Sequence, residues 1–126
     1  MPLTNTGRDL IAATLLGEAF TPFDAANAHI GVGDGTIVFD VSQTNLLGAN
    51  TLRKAMEATY PLRAGNVLSF RSLFGMAEAN FAWNEWGVFN QVVANIMLNR
   101  MVEALGTKTS AQAWQLTVEL TVEAVP

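Results

Sequence analysis

Trp114-Gln115-Leu116-Thr117-Val118-Glu119-Leu120-Thr121-Val122-Glu123 decides the fold class. Trp114, Leu116, Val118, Leu120 and Val122 alternate with Gln115, Thr117, Glu119, Thr121 and Glu123. A period of two is the repeat of an extended chain with one buried and one wet face. Truncating Trp114, the bulkiest residue on the apolar face, is expected to cost about 3–5 kcal/mol, the range for a buried tryptophan.

Upstream, similar but shorter patterns recur. Val67–Phe74 places Leu68, Phe70 and Phe74 on one face and Ser69 and Arg71 on the other. Residues 51–60 place Leu52, Met56, Ala58 and Tyr60 on one side and Arg53, Glu57 and Thr59 on the other. The turn-forming run Arg63-Ala64-Gly65-Asn66 between these two segments predicts an antiparallel hairpin. Ala28–Val32, the aromatic segment 81–89 and Ile96–Glu103 read as further strands. A short extended piece is expected over Thr36–Phe39, a brief helical turn over 42–47 and a turn over Gly106–Ser110.

One segment breaks the strand pattern. Over residues 7–19, Leu10, Ile11, Thr14 and Leu15 fall at helical spacing, and Thr6 with Asp9 has the spacing of a capping box. Gly17 weakens the last turn and Pro22 opposes continuation. The expected fold is therefore mainly β: an antiparallel β-sandwich or partly closed barrel with one N-terminal α-helix at about 7–19 and strands from about 28 to 123. At 126 residues, one domain spanning 1–126 is expected, and it can bury a core of its own.

Composition narrows the function classes. Only 14% of residues are charged against 50% hydrophobic, whereas globular chains average about 25% charged. Much of the surface is then uncharged, which favours subunit contacts. With a net charge of −4 and seven scattered basic residues, no basic stripe is available for a phosphate backbone, so nucleic acid is not an expected partner. No apolar run reaches membrane-spanning length. Met1-Pro2-Leu3-Thr4 lacks a basic leader, so no secretory signal is expected. The absence of cysteine excludes disulfides and thiolate sites.

Candidate chemistry is sparse. His29 is the single histidine, and no G-x-S-x-G elbow accompanies it, so a structural role is preferred to general-base catalysis. Gly31-Val32-Gly33-Asp34-Gly35 departs from both phosphate-loop spacings and reads instead as a tight turn whose glycines permit positive φ. Asp34 and Asp40 are too few for a calcium site. Glu78 and Glu85 form a conceivable glycosidase pair, a device needing two carboxylates at a set separation. No catalytic residue, metal or cofactor is assigned.

The aromatic run Phe81-Ala82-Trp83-Asn84-Glu85-Trp86-Gly87-Val88-Phe89 is the most distinctive. Its residues read as core or subunit interface, or else as a stacking platform for host-surface glycans. Val92 and Val93 follow where a hairpin tip is expected; exposed there they would contact a neighbouring subunit, and the alternative is that the strand continues through them. The interface or ligand-contact candidates are thus Trp83, Trp86, Phe89, Val92 and Val93.

Together Ile30-Gly31-Val32-Gly33-Asp34-Gly35, Leu52-Arg53-Lys54, Trp83 to Asn90 and Met97-Leu98-Asn99-Arg100 resemble small structural proteins of tailed bacteriophages. The order is similar to the N-terminal domain of phage tail-collar fibre proteins, in which a helix precedes a "VGDG" turn and a later "EVGLF"-like strand, matched here by Glu85–Phe89. The resemblance implies no catalytic residues. It implies a virion protein made in the host cytoplasm, homo-oligomeric (a trimer is one closed form) and docked to other virion proteins. A head decoration protein and a glycan-binding module are the alternatives.

Overall fold

A computed structural model describes residues 3–91 and 96–123. The alternating segment forms a strand that ends at Thr121. Val118 and Leu120 are buried, Trp114 and Leu116 half-buried, and the intervening polar residues exposed. In chain order the elements are α1 (Asn5–Leu15), β1 (His29–Gly33), β2 (Thr51–Ala55), β3 (Leu62–Ala64), β4 (Val67–Phe74), β5 (Ala82–Phe89), β6 (Met101–Thr107) and β7 (Trp114–Thr121). They build a four-stranded sheet, β2-β1-β5-β6, and a three-stranded sheet, β3-β4-β7, antiparallel throughout. The sheets face each other without closing. Of the two expected architectures, the sandwich is the one formed.

The inner faces interdigitate. Ile30 and Val32 from β1 and Trp83, Trp86 and Val88 from β5 pack against Phe70, Phe74, Val118 and Leu120. Strict alternation would put Trp83 and Trp86 on opposite faces. The ladder to β6 shifts between Trp83 and Glu85, because Gly106 pairs with Trp83 but Val102 with Glu85, and across this irregularity both tryptophans lie in the core. Trp83 lies edge-on to Phe74 at 4.8 Å and to Trp114 at 5.0 Å, the geometry aromatic quadrupoles favour.

The helix begins earlier than its capping-box signal. Thr4, not Thr6, is the N-cap. Its hydroxyl accepts from Gly7 N at 3.0 Å and donates to Met97 O, while Thr4 N donates to Leu98 O at 3.0 Å. Tertiary bonds therefore choose the start. Gly17, at φ +70°, ends the helix: Glu18 N donates to Ala13 O and Gly17 N to Thr14 O, a Schellman closure. Within the helix only Gly7 and Leu10 are buried. Of the expected apolar face, Ile11 and Leu15 are exposed.

Other boundaries shift for local reasons. The strand expected over 51–60 stops at Ala55. Glu57 N then donates to Arg71 O at 2.8 Å, and Thr59 takes φ +75° as the chain crosses to the other sheet. The hairpin around Gly65 therefore joins β3 to β4, not β2 to β4. Residues 36–39 and 42–47 form neither strand nor helix. From Met97 to Asn99 only isolated bridges form, Phe89 to Met97 and Leu3 to Asn99. β6 begins at Met101 and ends at Thr107, inside the expected turn, which falls slightly later, at 110–111.

Candidate functional site

The four-stranded sheet has a second, outer face. Because Ile30 and Val32 point inward, Gly31 and Gly33 lie outward. Residue 33 pairs with Glu85 across the sheet. None of Gly31, Gly33 and Gly35 has positive φ, so the expectation of a positive-φ turn is corrected. These residues are glycine for space. A Cβ at Gly33 or Gly35 would collide with the Glu85 carboxylate, and one at Gly31 with the Phe89 ring.

Residues 34–50, a connection of seventeen residues without regular structure, cover this face. Loops of that length inside a compact domain are usually functional. Glu85 is its main anchor. One carboxylate oxygen accepts from Gly35 N at 3.0 Å and Gly48 N at 2.7 Å. The other accepts from Leu47 N at 2.9 Å and Arg100 Nε at 2.8 Å. Arg100 in turn donates through Nη1 to Ile37 O at 2.8 Å and Gln43 Oε1 at 3.1 Å. Its Nη2 makes no hydrogen bond among the described residues. Glu85 and Arg100 are both fully buried.

Further ties close the rim. Asp34 accepts from Asn50 N and Nδ2 at 3.0 and 2.8 Å. These bonds, the side-chain one foremost, hold its carboxyl below the ordinary aspartate value. The Arg53 guanidinium stacks 3.7 Å over the Phe89 ring and donates to Asn45 Oδ1 and Gln91 O. Burial draws it below the ordinary arginine value. Asn5 N donates to Val41 O, tying the loop to the start of α1. Thus fastened, the loop presents Ile37, Val38, Val41 and Leu47 to solvent, with Val38 at 81% exposure.

Three of the five expected contact residues are interior. Trp83 and Trp86 are 2% and 8% exposed, and their indole N–H groups donate to Ala79 O at 2.9 Å and Glu103 Oε1 at 2.8 Å. Phe89 is buried beneath the loop with Leu46 and Met97. The glycan platform, which requires solvent-open tryptophans, is corrected on this ground. The apolar rings were needed for the core. Val92 and Val93 lie outside the described residues.

The other candidate groups are occupied locally. His29 Nδ1 lies 2.8 Å from Asn27 O. Glu78 accepts from Gly75 N and Lys54 Nζ, both at 2.7 Å. Asp40 accepts from the Ser42 hydroxyl and backbone N–H. All four lone-pair directions of Glu85 are engaged, so it stands as a structural anchor and not as half of a hydrolytic pair. Among the described residues no cluster of three acids or histidines gathers as a metal site, and no helix is long and apolar enough to cross a membrane.

Sequence reasoning missed the Glu85–Arg100 pair. Its signals were an acid on an aromatic strand and glycines repeating at period two. Compared with protein-family models and with curated proteins, the chain matches none.

Proposed function

We propose that this protein is a non-enzymatic structural subunit of a bacteriophage virion, of the tail fibre, collar or baseplate type. It acts by closed-symmetry self-assembly and by docking to other virion proteins. The observation that carries this reading is the seventeen-residue loop over the four-stranded sheet. Glu85, Arg100, Arg53 and Asn5 fasten this loop by hydrogen bonds to Gly35, Ile37, Val41, Gln43, Asn45, Leu47 and Gly48, more than a mere connection needs, and its outer side displays Ile37, Val38, Val41 and Leu47. A firmly held apolar display suits recognition by a protein surface, because little ordering entropy remains to be lost on contact. Burial at about 25 cal/mol per Å² supplies the driving force. The resemblance to tail-collar fibre proteins and the low charge support the same reading.

The test is native mass by light scattering, with imaging of assemblies and add-back to particles lacking the protein. A discrete oligomer that binds such particles is expected, and labelling then sorts a tail seat from head decoration. A chain that stays monomeric at high concentration and leaves the particles unoccupied overturns the proposal.

A further inference from the structure

A groove of about 710 Å³ runs between α1 and the three-stranded sheet. Its floor is apolar, formed by Leu10, Leu68, Phe70, Leu98 and Leu120. Its walls differ in charge. Arg8 and Ile11 rise from the helix side; Glu119, Val122 and Glu123 rise from β7 and the residues after it. Arg8 reaches only Asn5 Oδ1, and neither Glu119 nor Glu123 has an ion-pair partner among the described residues. Beyond the groove the helix carries its apolar stripe into water: Ile11 is 43% exposed, Leu15 82% and Leu16 79%.

From these features we infer that the groove and the outer side of α1 form the contact for a second copy of this chain, related by a two-fold axis. An isologous contact must be complementary to itself. This patch is: half a turn about an axis running along the groove sets the Arg8 wall of each copy against the Glu119 and Glu123 wall of the other. The same rotation sets the Ile11 of each copy against the Val122 of the other and turns the two apolar grooves toward each other. A polyanion would meet two carboxylates on one wall and a single cation on the other, and an acidic peptide would meet them too. A second copy satisfies both signs and covers Ile11 and Val122, which the fold leaves in water.

This inference rests on the self-assembly reading above and adds the surface and the symmetry. The experiment compares four full-length chains by sedimentation equilibrium, with circular dichroism confirming the fold: wild type, Arg8→Glu, Ile11→Asp, and Arg8→Glu combined with Glu119→Arg and Glu123→Arg. All four positions are open to solvent, so the fold should survive. The wild type is expected to be dimeric. Arg8→Glu should raise the dissociation constant roughly tenfold, since each reversed pair occurs twice across the axis, and Ile11→Asp should raise it further. The triple variant should recover the wild-type value, because both walls have exchanged sign. An oligomeric wild type whose mass ignores Arg8→Glu and Ile11→Asp overturns the groove contact while leaving self-assembly in place. A monomeric wild type that still binds particles lacking the protein overturns the second-copy contact but leaves virion docking standing.

Discussion

The Glu85 carboxylate and the Arg100 guanidinium meet at 2.8 Å with neither side chain open to solvent. The carboxylate belongs to β5, and the guanidinium follows the irregular stretch that leads into β6. Their union therefore sets the outer face of the sheet and the loop above it in one arrangement. Removing one member leaves the other charge buried and unpaired, which costs about 3–5 kcal/mol. Glu85→Gln should lower the urea midpoint by the corresponding amount without changing the slope. Joint replacement of Glu85 by Leu and Arg100 by Met should cost less than the sum of the two single changes. A loss under about 1 kcal/mol for Glu85→Gln, the range of surface changes, would show that the pair does not anchor the loop.

Gly33→Ala and Gly35→Ala each place a methyl group against the Glu85 carboxylate. Overpacking of this kind costs about 1–3 kcal/mol. The cost of Gly33→Ala should shrink in a Glu85→Ala background, where the obstructing atoms are gone. Equal costs in both backgrounds, measured by a double-mutant cycle, would place the obstruction elsewhere.

Trp83, not Trp114, should be the costlier tryptophan to truncate. Trp83 is 2% exposed and touched edge-on by two rings, whereas Trp114 keeps one side in solvent. Trp83→Ala is expected to lose about 3–5 kcal/mol, and Trp114→Ala at least about 1 kcal/mol less because less area leaves water. Thermal or chemical melts of the two variants settle the order. In the folded protein, Trp114 should also be the tryptophan most readily quenched by acrylamide.

Glu78 confers an acid limb on stability. Its bond from Lys54, then that from Gly75 N, holds its carboxyl below the ordinary glutamate value. A group depressed in the folded state contributes fully above its unfolded value, and the contribution is lost as pH falls through the folded value. Stability should therefore decline as pH drops below the ordinary glutamate range, and Glu78→Gln should flatten part of that decline. The position is solvent-screened, so the effect is small. An unchanged acid limb in Glu78→Gln, followed by urea midpoint against pH, would assign the decline to other carboxylates.

Periodicity in the chain carried the architecture a long way. The alternation in β7 and β4, the helical spacing near the N-terminus and the glycine turn at Gly65 are local signals, and each reports a choice made within a few residues. Where a local signal failed, a distant atom had intervened. Thr4 took the cap because Met97 and Leu98 hold it. Trp83 and Trp86 share the core across a register shift whose extra residues lie on β6. β2 stopped early because Arg71 on another sheet receives its continuation.

The candidate site was nearly invisible in the chain for the same reason. Glu85 and Gly48 are thirty-seven residues apart, Glu85 and Gly35 fifty. No spacing rule links them, and glycines chosen for missing volume look like glycines chosen for backbone freedom. By itself the sequence determined the β class, the single N-terminal helix and the supply of core side chains, because period and propensity are properties of neighbouring residues. Only the tertiary structure decided which side of each strand faced which sheet, that the three expected aromatics were interior, and that a buried acid and base fasten the long loop. Those outcomes depend on what lies across space from each residue.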